Sequence, residues 1–139
     1  MSATIPDSHK DLLEGPVHVS LATVMPDGQP QVTVVWCNYD GEHVLVNTAR
    51  GRQKDENMRQ RPQVTVLAVD PEDPYRWIEV RGTVEEMTEE GAVEHIDELA
   101  RLYKNVPEYY GYSAPTARQN QETRVKIKIR PIHVNASGS

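Results

Sequence analysis

From Val17 to Ile132 the chain is cut into six short runs of strand-forming residues, most separated by turns too tight to hold a helix, and that pattern leaves few folds open. Val17 to Val24 alternates, Pro26-Asp27-Gly28-Gln29 turns the chain, and Pro30 to Tyr39 returns. On the return strand Val32, Val34 and Trp36 share one face, with Gln31, Thr33, Val35 and Cys37 on the other. Asp40-Gly41 then turns into His43 to Asn47. Val64 to Val69 is continuously apolar, and Tyr75 to Glu86 is a long strand with Gly82 inside it, where a bulge or a close backbone is expected. Arg124 to Ile132 alternates, which predicts Val125, Ile127 and Ile129 inward and Arg124, Lys126, Lys128 and Arg130 outward. Helical pattern is sparse: His9 to Glu14, stopped by Gly15-Pro16, and a longer segment from Thr88 that places Val93, Ile96, Leu99, Ala100 and Tyr103 on one face. The expectation is a mainly β (α+β) fold, a small antiparallel barrel of six strands with peripheral helices. At this length one domain, residues 1–139, is expected, with Ala136-Ser137-Gly138-Ser139 as a loose tail.

Between the third and fourth strands the chemistry changes. Asn47 to Arg61 carries five of the chain's fifteen basic residues, Arg50, Arg52, Lys54, Arg59 and Arg61, although the protein has a net charge of −6. The segment follows the apolar run Val44-Leu45-Val46 and ends at Pro62, so it reads as a loop entering one short helix. A helix start has free backbone N–H groups and the positive end of the helix dipole, and nearby cations complete a site for phosphate. The alternative is a solvated basic helix face. An acidic protein lacks the broad basic surface of a nucleic-acid binder, which directs the reading toward a small anionic ligand.

Other chemistries find little support. The one cysteine, Cys37, lies in an apolar run and suits a buried thiol rather than a nucleophile. His9, His18, His43, His95 and His133 have no spacing that pairs them as ligands, and no serine sits in a nucleophile elbow. The Tyr109-Tyr110-Gly111-Tyr112 loop reads as packing, a lid or a partner surface. No run approaches the roughly 20 apolar residues of a membrane span, so neither membrane nor nucleic acid is expected as a partner, and the expected compartment is the cytoplasm. The chain has no Phe, and a small core of this kind would be helped by dimerisation.

These pieces together resemble the flavin and deazaflavin split β-barrel proteins related to pyridoxamine 5′-phosphate oxidase. The likeness runs from about Asp11 to Val134 and rests on order and spacing: Val19-Ser20-Leu21-Ala22-Thr23; Asp27-Gly28 followed by Pro30-Gln31; Arg52-Gln53-Lys54 with Asn57 and Met58; Arg61-Pro62-Gln63-Val64; and Val80-Arg81-Gly82-Thr83-Val84. The resemblance implies a six-stranded split barrel that forms a homodimer, with cofactor in grooves at the interface. It implies Arg52 and Lys54 at the cofactor's phosphate end, with Gln53 and Asn57 in the same loop and helix. The ring would lie along Gln31 to Trp36, including Thr33 and Val34, with Asn47 and Thr48 at its edge and Trp77 and Glu79 contributed across the interface.

True pyridoxamine phosphate oxidases finish their sites with a C-terminal Trp and Arg segment, whereas here no Trp follows Trp77 and the chain closes near Ile132-His133-Val134. The Arg-x-Lys-x-x-Asn pattern and that ending are more similar to the branch that uses the 8-hydroxy-5-deazaflavin coenzyme F-420. The resemblance therefore implies an oxidoreductase that passes a hydride from the reduced cofactor to an enone- or quinone-like small molecule, with no catalytic side chain and no metal. FMN on the same barrel, or non-catalytic binding of a cofactor or tetrapyrrole, are the alternatives.

Overall fold

The outermost strands of the sheet are neighbours in the chain, and that single fact explains its shape. The computed structural model describes residues 2–138. In chain order it contains a 3-10 turn at Asp7–His9, then α1 (Asp11–Glu14), β1 (Val19–Val24), β2 (Pro30–Val35), β3 (Cys37–Tyr39), β4 (Val44–Ala49) and α2 (Gln53–Gln60). Next come β5 (Gln63–Asp70), β6 (Asp73–Thr88), α3 (Ala92–Lys104), a 3-10 turn at Thr116–Asn120 and β7 (Arg124–Ser137). Every strand pairing is antiparallel, in the order β2-β1-β5-β6-β7-β4-β3. Only Trp36 separates β2 from β3, so the two ends of the sheet are tied together by one residue and the sheet curls around one core.

The expected six strands are therefore seven. Pro30 to Tyr39 reads as one strand, but its first half pairs with β1 (Val35 opposite Val19) and its second half with β4 (Cys37 opposite Val46). A twisted sheet that closes on itself diverges at such a corner, and no straight segment can follow both partners. The ladder breaks at Trp36, whose side chain leaves the sheet for α3.

Inside the curl, alternate residues of every strand meet in one cluster that includes Leu21, Val35, Cys37, Val46, Val66, Ile78 and Ile127, capped by Leu12 and Leu13 from α1 and Met58 from α2. Ile127 is fully buried, and truncation to Ala there would cost about 2–5 kcal/mol. Gly82 meets the expectation set for it. The β6–β7 register shifts at Arg81/Gly82, and a Cβ at this position would lie 2.6 Å from Ile129 Cγ2 and 2.8 Å from the Arg130 carbonyl oxygen.

Two terminal expectations change. Residues 136 and 137 are not loose: β7 runs through them with Ala136 opposite Ile78 and Ser137 opposite Trp77, while the His9 ring bonds the Ser137 carbonyl at 2.8 Å. Ser139 lies outside the described residues. Arg124 is not outward but buried, because β7 begins beneath α3 rather than at a solvated edge.

Candidate functional site

The basic loop divides into two halves with different partners. On one side the fully buried carboxylate of Asp55 accepts from the Gly51 N–H (3.0 Å), Arg50 Nη1 (3.1 Å) and Arg59 Nη2 (2.9 Å). Arg50 also pairs with Glu89, and Arg61 donates to the Val24 carbonyl at 2.7 Å. Three of the five cations are thus committed to the fold. On the other side Arg52, the residue that caps α2, offers no side-chain cap, and among the described residues the N–H groups of Gln53, Lys54 and Asp55 find no backbone acceptor. Arg52 and Lys54 line a cleft instead.

That cleft lies between the end of β2, the start of β7 and the inner face of α3. Val34, Val35, Ile96 and Leu99 supply apolar wall, and Trp36, Tyr109 and His18 supply rings. Trp36 stacks on Tyr103 (centroids 5.3 Å apart, planes 14° apart), meets Tyr109 edge-on at 6.1 Å and donates from Nε1 to His18 Nε2 at 3.3 Å. Tyr103 anchors this platform through its hydroxyl, which accepts from the Cys37 N–H at 3.0 Å and donates to the Val17 carbonyl at 2.7 Å.

Three cations converge at the cleft: Arg52, Lys54 and Arg124. One carboxylate faces them. Glu122 accepts from Arg124 Nη1 at 3.1 Å, from the Tyr110 hydroxyl at 2.6 Å and, more distantly, from Arg52 at 3.4 Å. Tyr110 is pushed up to about 12 by burial and by Glu122. Lys54 has no carboxylate partner among the described residues, and burial, then Arg52 and Arg124, hold its ammonium below the ordinary 10.5. A group held this way gains from an arriving anion.

Behind Arg124 runs a chain of neutral groups. Arg124 Nε donates to Asn47 Oδ1 at 2.8 Å, and Asn47 Nδ2 donates to the Ala92 carbonyl at 2.9 Å and to His95 Nδ1 at 3.1 Å. His95 Nε2 donates to Asn38 Oδ1 at 2.9 Å, and Asn38 Nδ2 ends the chain on Glu98 at 3.2 Å. His95 stays neutral down to about pH 4, because of burial first and then Lys126 and Arg124.

Of the residues expected at the cofactor, Val34, Trp36, Asn47, Arg52 and Lys54 line this cleft. Gln31, Thr33, Thr48, Gln53 and Asn57 do not. Asn57 is fully buried, donating to Thr23 (3.0 Å) and accepting from Gln53 (2.8 Å), and Gln31 accepts from Thr23 at 3.1 Å. These groups hold α2 against the β1–β2 hairpin. Thr48 is buried with its hydroxyl unpartnered. Trp77 and Glu79 line a separate groove with Thr65, Leu67 and Val69 on the outer face of the sheet. Sequence reasoning missed Arg124 and His18 as cleft residues, and Tyr109 reaches the cleft from the loop whose readings include a lid. The weak signal for Arg124 was its place as the first residue of its strand, two positions after Glu122. Cys37 is buried with its thiol pushed up to about 12, and no group of metal-ligating side chains occurs among the described residues. No helix among them is long and apolar enough to cross a membrane.

The profile of the family described as Pyridoxamine 5′-phosphate oxidase matches residues 5–137. Among solved structures the chain is similar to an F-420 reductase at 34% identity and a TM-score of 0.80, over 94% of this chain and 98% of that one. A conserved hypothetical protein from Mycobacterium tuberculosis aligns at 24% identity and a TM-score of 0.71, over 98% and 86%. HutZ, the heme storage protein from Vibrio cholerae, shares the fold at 16% identity and a TM-score of 0.65, over 98% and 96%.

Proposed function

This chain belongs to the pyridoxamine 5′-phosphate oxidase family, and from that premise we propose that it is an oxidoreductase using reduced coenzyme F-420 to transfer a hydride to an enone- or quinone-like small molecule. The observation that carries the reading is the cleft, in which three cations meet an apolar and aromatic wall. A planar cofactor with an anionic tail needs both, and the 34% identity to an F-420 reductase over 94% of the chain favours the deazaflavin.

The donor set fits that group. Arg52 and Lys54 would hold the phosphate and carboxylate groups of the tail by charge-assisted hydrogen bonds. Val34, Val35 and Trp36 would set the plane of the ring. Bound there, the reduced cofactor supplies the hydride. The chain's own residues bind, orient and exclude water, and none is required as a nucleophile. Cys37, buried and held protonated, is unsuited to that role.

A homodimer belongs to the same reading. One chain's cleft has a volume of about 190 Å³, below the roughly 300–1,000 Å³ of a complete small-molecule site. Beside it, Val32, Val34, Leu67 and Val69 are 60%, 66%, 37% and 36% exposed on one face of the sheet, and Trp77 and Glu79 continue that face. The register links them directly, since Val34 lies opposite Ser20, Ser20 opposite Leu67 and Leu67 opposite Glu79. A second copy laid on this strip would cover the apolar side chains and add a wall to each cleft. Light scattering that finds an active monomer near the chain mass of 15.7 kDa would remove the dimer from the proposal.

The deciding experiment is a competitive titration of the purified apo-protein with coenzyme F-420, FMN and heme, followed by an assay for oxidation of the reduced deazaflavin with an enone or quinone acceptor. Preferential deazaflavin binding with turnover is expected. Turnover with FMN alone would make this a flavin enzyme on the same barrel, and tight heme binding without hydride transfer would make it a carrier.

A further inference from the structure

Asn47 lines the cleft, yet its amide has no N–H left to donate to an anion. Its oxygen accepts from Arg124 Nε, and its nitrogen donates to the Ala92 carbonyl and to His95 Nδ1. The orientation of that amide is dictated by its partners: a guanidinium only donates and a carbonyl only accepts, so Oδ1 must face Arg124 and Nδ2 must face Ala92 and His95. Arg124 differs. Nε is taken by Asn47 and Nη1 by Glu122, and its Cζ lies over the Tyr109 ring, 5.2 Å from the centroid, while no hydrogen bond engages Nη2 among the described residues. A guanidinium clamped on its Nε and Nη1 edge and bounded by an aromatic ring has one orientation, and it lines the cleft in that orientation.

Resting on the cofactor reading above, we propose that Arg124 is the third anion-binding residue of the cleft, contacting a phosphate or carboxylate group of the ligand. Asn47 is its positioning residue, acting only through the guanidinium. The charges agree with this assignment. Among the described residues Arg52, Lys54 and Arg124 face Glu122 alone, which leaves two positive charges in excess and calls for a ligand with at least two negative charges. Neutral Asn47 and His95 orient Arg124 without cancelling its charge, as a carboxylate in place of Asn47 would do.

The test uses the full-length protein labelled with ¹⁵N-arginine and three probes: inorganic pyrophosphate, FMN and oxidised coenzyme F-420. The Arg124 guanidinium resonances are expected to shift saturably with each probe that binds, with the Kd found by calorimetry, while the Nε proton remains slow to exchange. Asn47→Leu should weaken the binding probes at least tenfold and release the Arg124 Nε proton to fast exchange, with Arg52 signals still responsive. His95→Gln, which can accept from Asn47 and donate to Asn38, should keep affinity within about threefold. Arg124 resonances unmoved at saturation would overturn its assignment, and this measurement needs no variant. A folded Asn47→Leu protein that binds within twofold of wild type would overturn the positioning role. Pyrophosphate binding sensed by Arg124 with neither cofactor bound would sink the cofactor reading and uphold this one. Cofactor binding with Arg124 silent would do the reverse, and failure of all three probes would sink both.

Discussion

The cations of one basic loop have opposite fates. Arg50 and Arg59 converge on the buried carboxylate of Asp55 and hold the loop shut from within. Arg52 and Lys54 turn to a cleft where Glu122 is the single carboxylate that meets its cations among the described residues and where Arg124 is held by a neutral amide. A local excess of positive charge therefore does not locate an anion site. A shortage of internal counter-charge does, because only the uncompensated positive charge gains from a ligand.

Removing the internal counter-charge should give the largest effect. Asp55→Ala takes the acceptor from Arg59 and the Gly51 N–H and leaves Arg50 with Glu89 alone, and a loss of about 3–5 kcal/mol is expected in chemical denaturation. If stability hardly changed, the first half of the loop would be no more built than the second.

The neutral chain behind Arg124 makes a pH prediction. His95 titrates near 4 when folded and near 6.5 when unfolded, so folding favours its neutral form. The native state then binds fewer protons in that interval. The contribution is full above pH 6.5 and is lost as pH falls toward 4, on the order of 3 kcal/mol in all. The carboxylates of Asp11, Asp40, Asp70, Glu85 and Glu122 lie below their ordinary values, so their share is lost mainly at lower pH. In His95→Gln the slope of stability between pH 6.5 and 4 should flatten. An unchanged slope would place the acid sensitivity elsewhere.

On the cleft side, small stability effects should accompany large binding effects. Lys54→Ala is expected to weaken cofactor binding by roughly 1.5–3 kcal/mol, with Arg52→Ala near the low end because that side chain is 43% exposed. Both should melt close to wild type. Because an anion favours charged Lys54, affinity should also fall as pH rises into the alkaline range, beginning below 10.5. Calorimetry with unchanged affinity in both variants would make the second half of the loop an ordinary solvated surface.

The last pair separates ring placement from side-chain chemistry. Trp36→Ala removes the ring stacked on Tyr103, and turnover should fall on the order of 10²-fold through misplacement of the cofactor. Cys37→Ser, one residue on, should change turnover little, since its thiol is buried and bonded to the Leu13 carbonyl at 3.5 Å. Loss of all activity in folded Cys37→Ser would refute hydride transfer without a nucleophile.

Much of this molecule was decided locally. Alternation in β1 and β7 follows from the two-residue period of a strand with one face buried, and Gly82 follows from a backbone approach that admits no Cβ. The break before Pro62 and the clustering of Arg52 and Lys54 were equally legible, because a helix start and its cations are written within a few residues. What the tertiary structure decided is every choice between equivalent local partners. Trp36 becomes a corner only because β2 and β3 lie at opposite ends of a sheet that closes. Arg50 and Arg52 part company only because Asp55 is buried on one side of the loop. Arg124 turns from an outward strand residue into a cleft residue only because Asn47, seventy-seven positions earlier, lies within hydrogen-bonding reach of it. Periodicity reports which face a side chain takes, but not what the fold will bring to meet it.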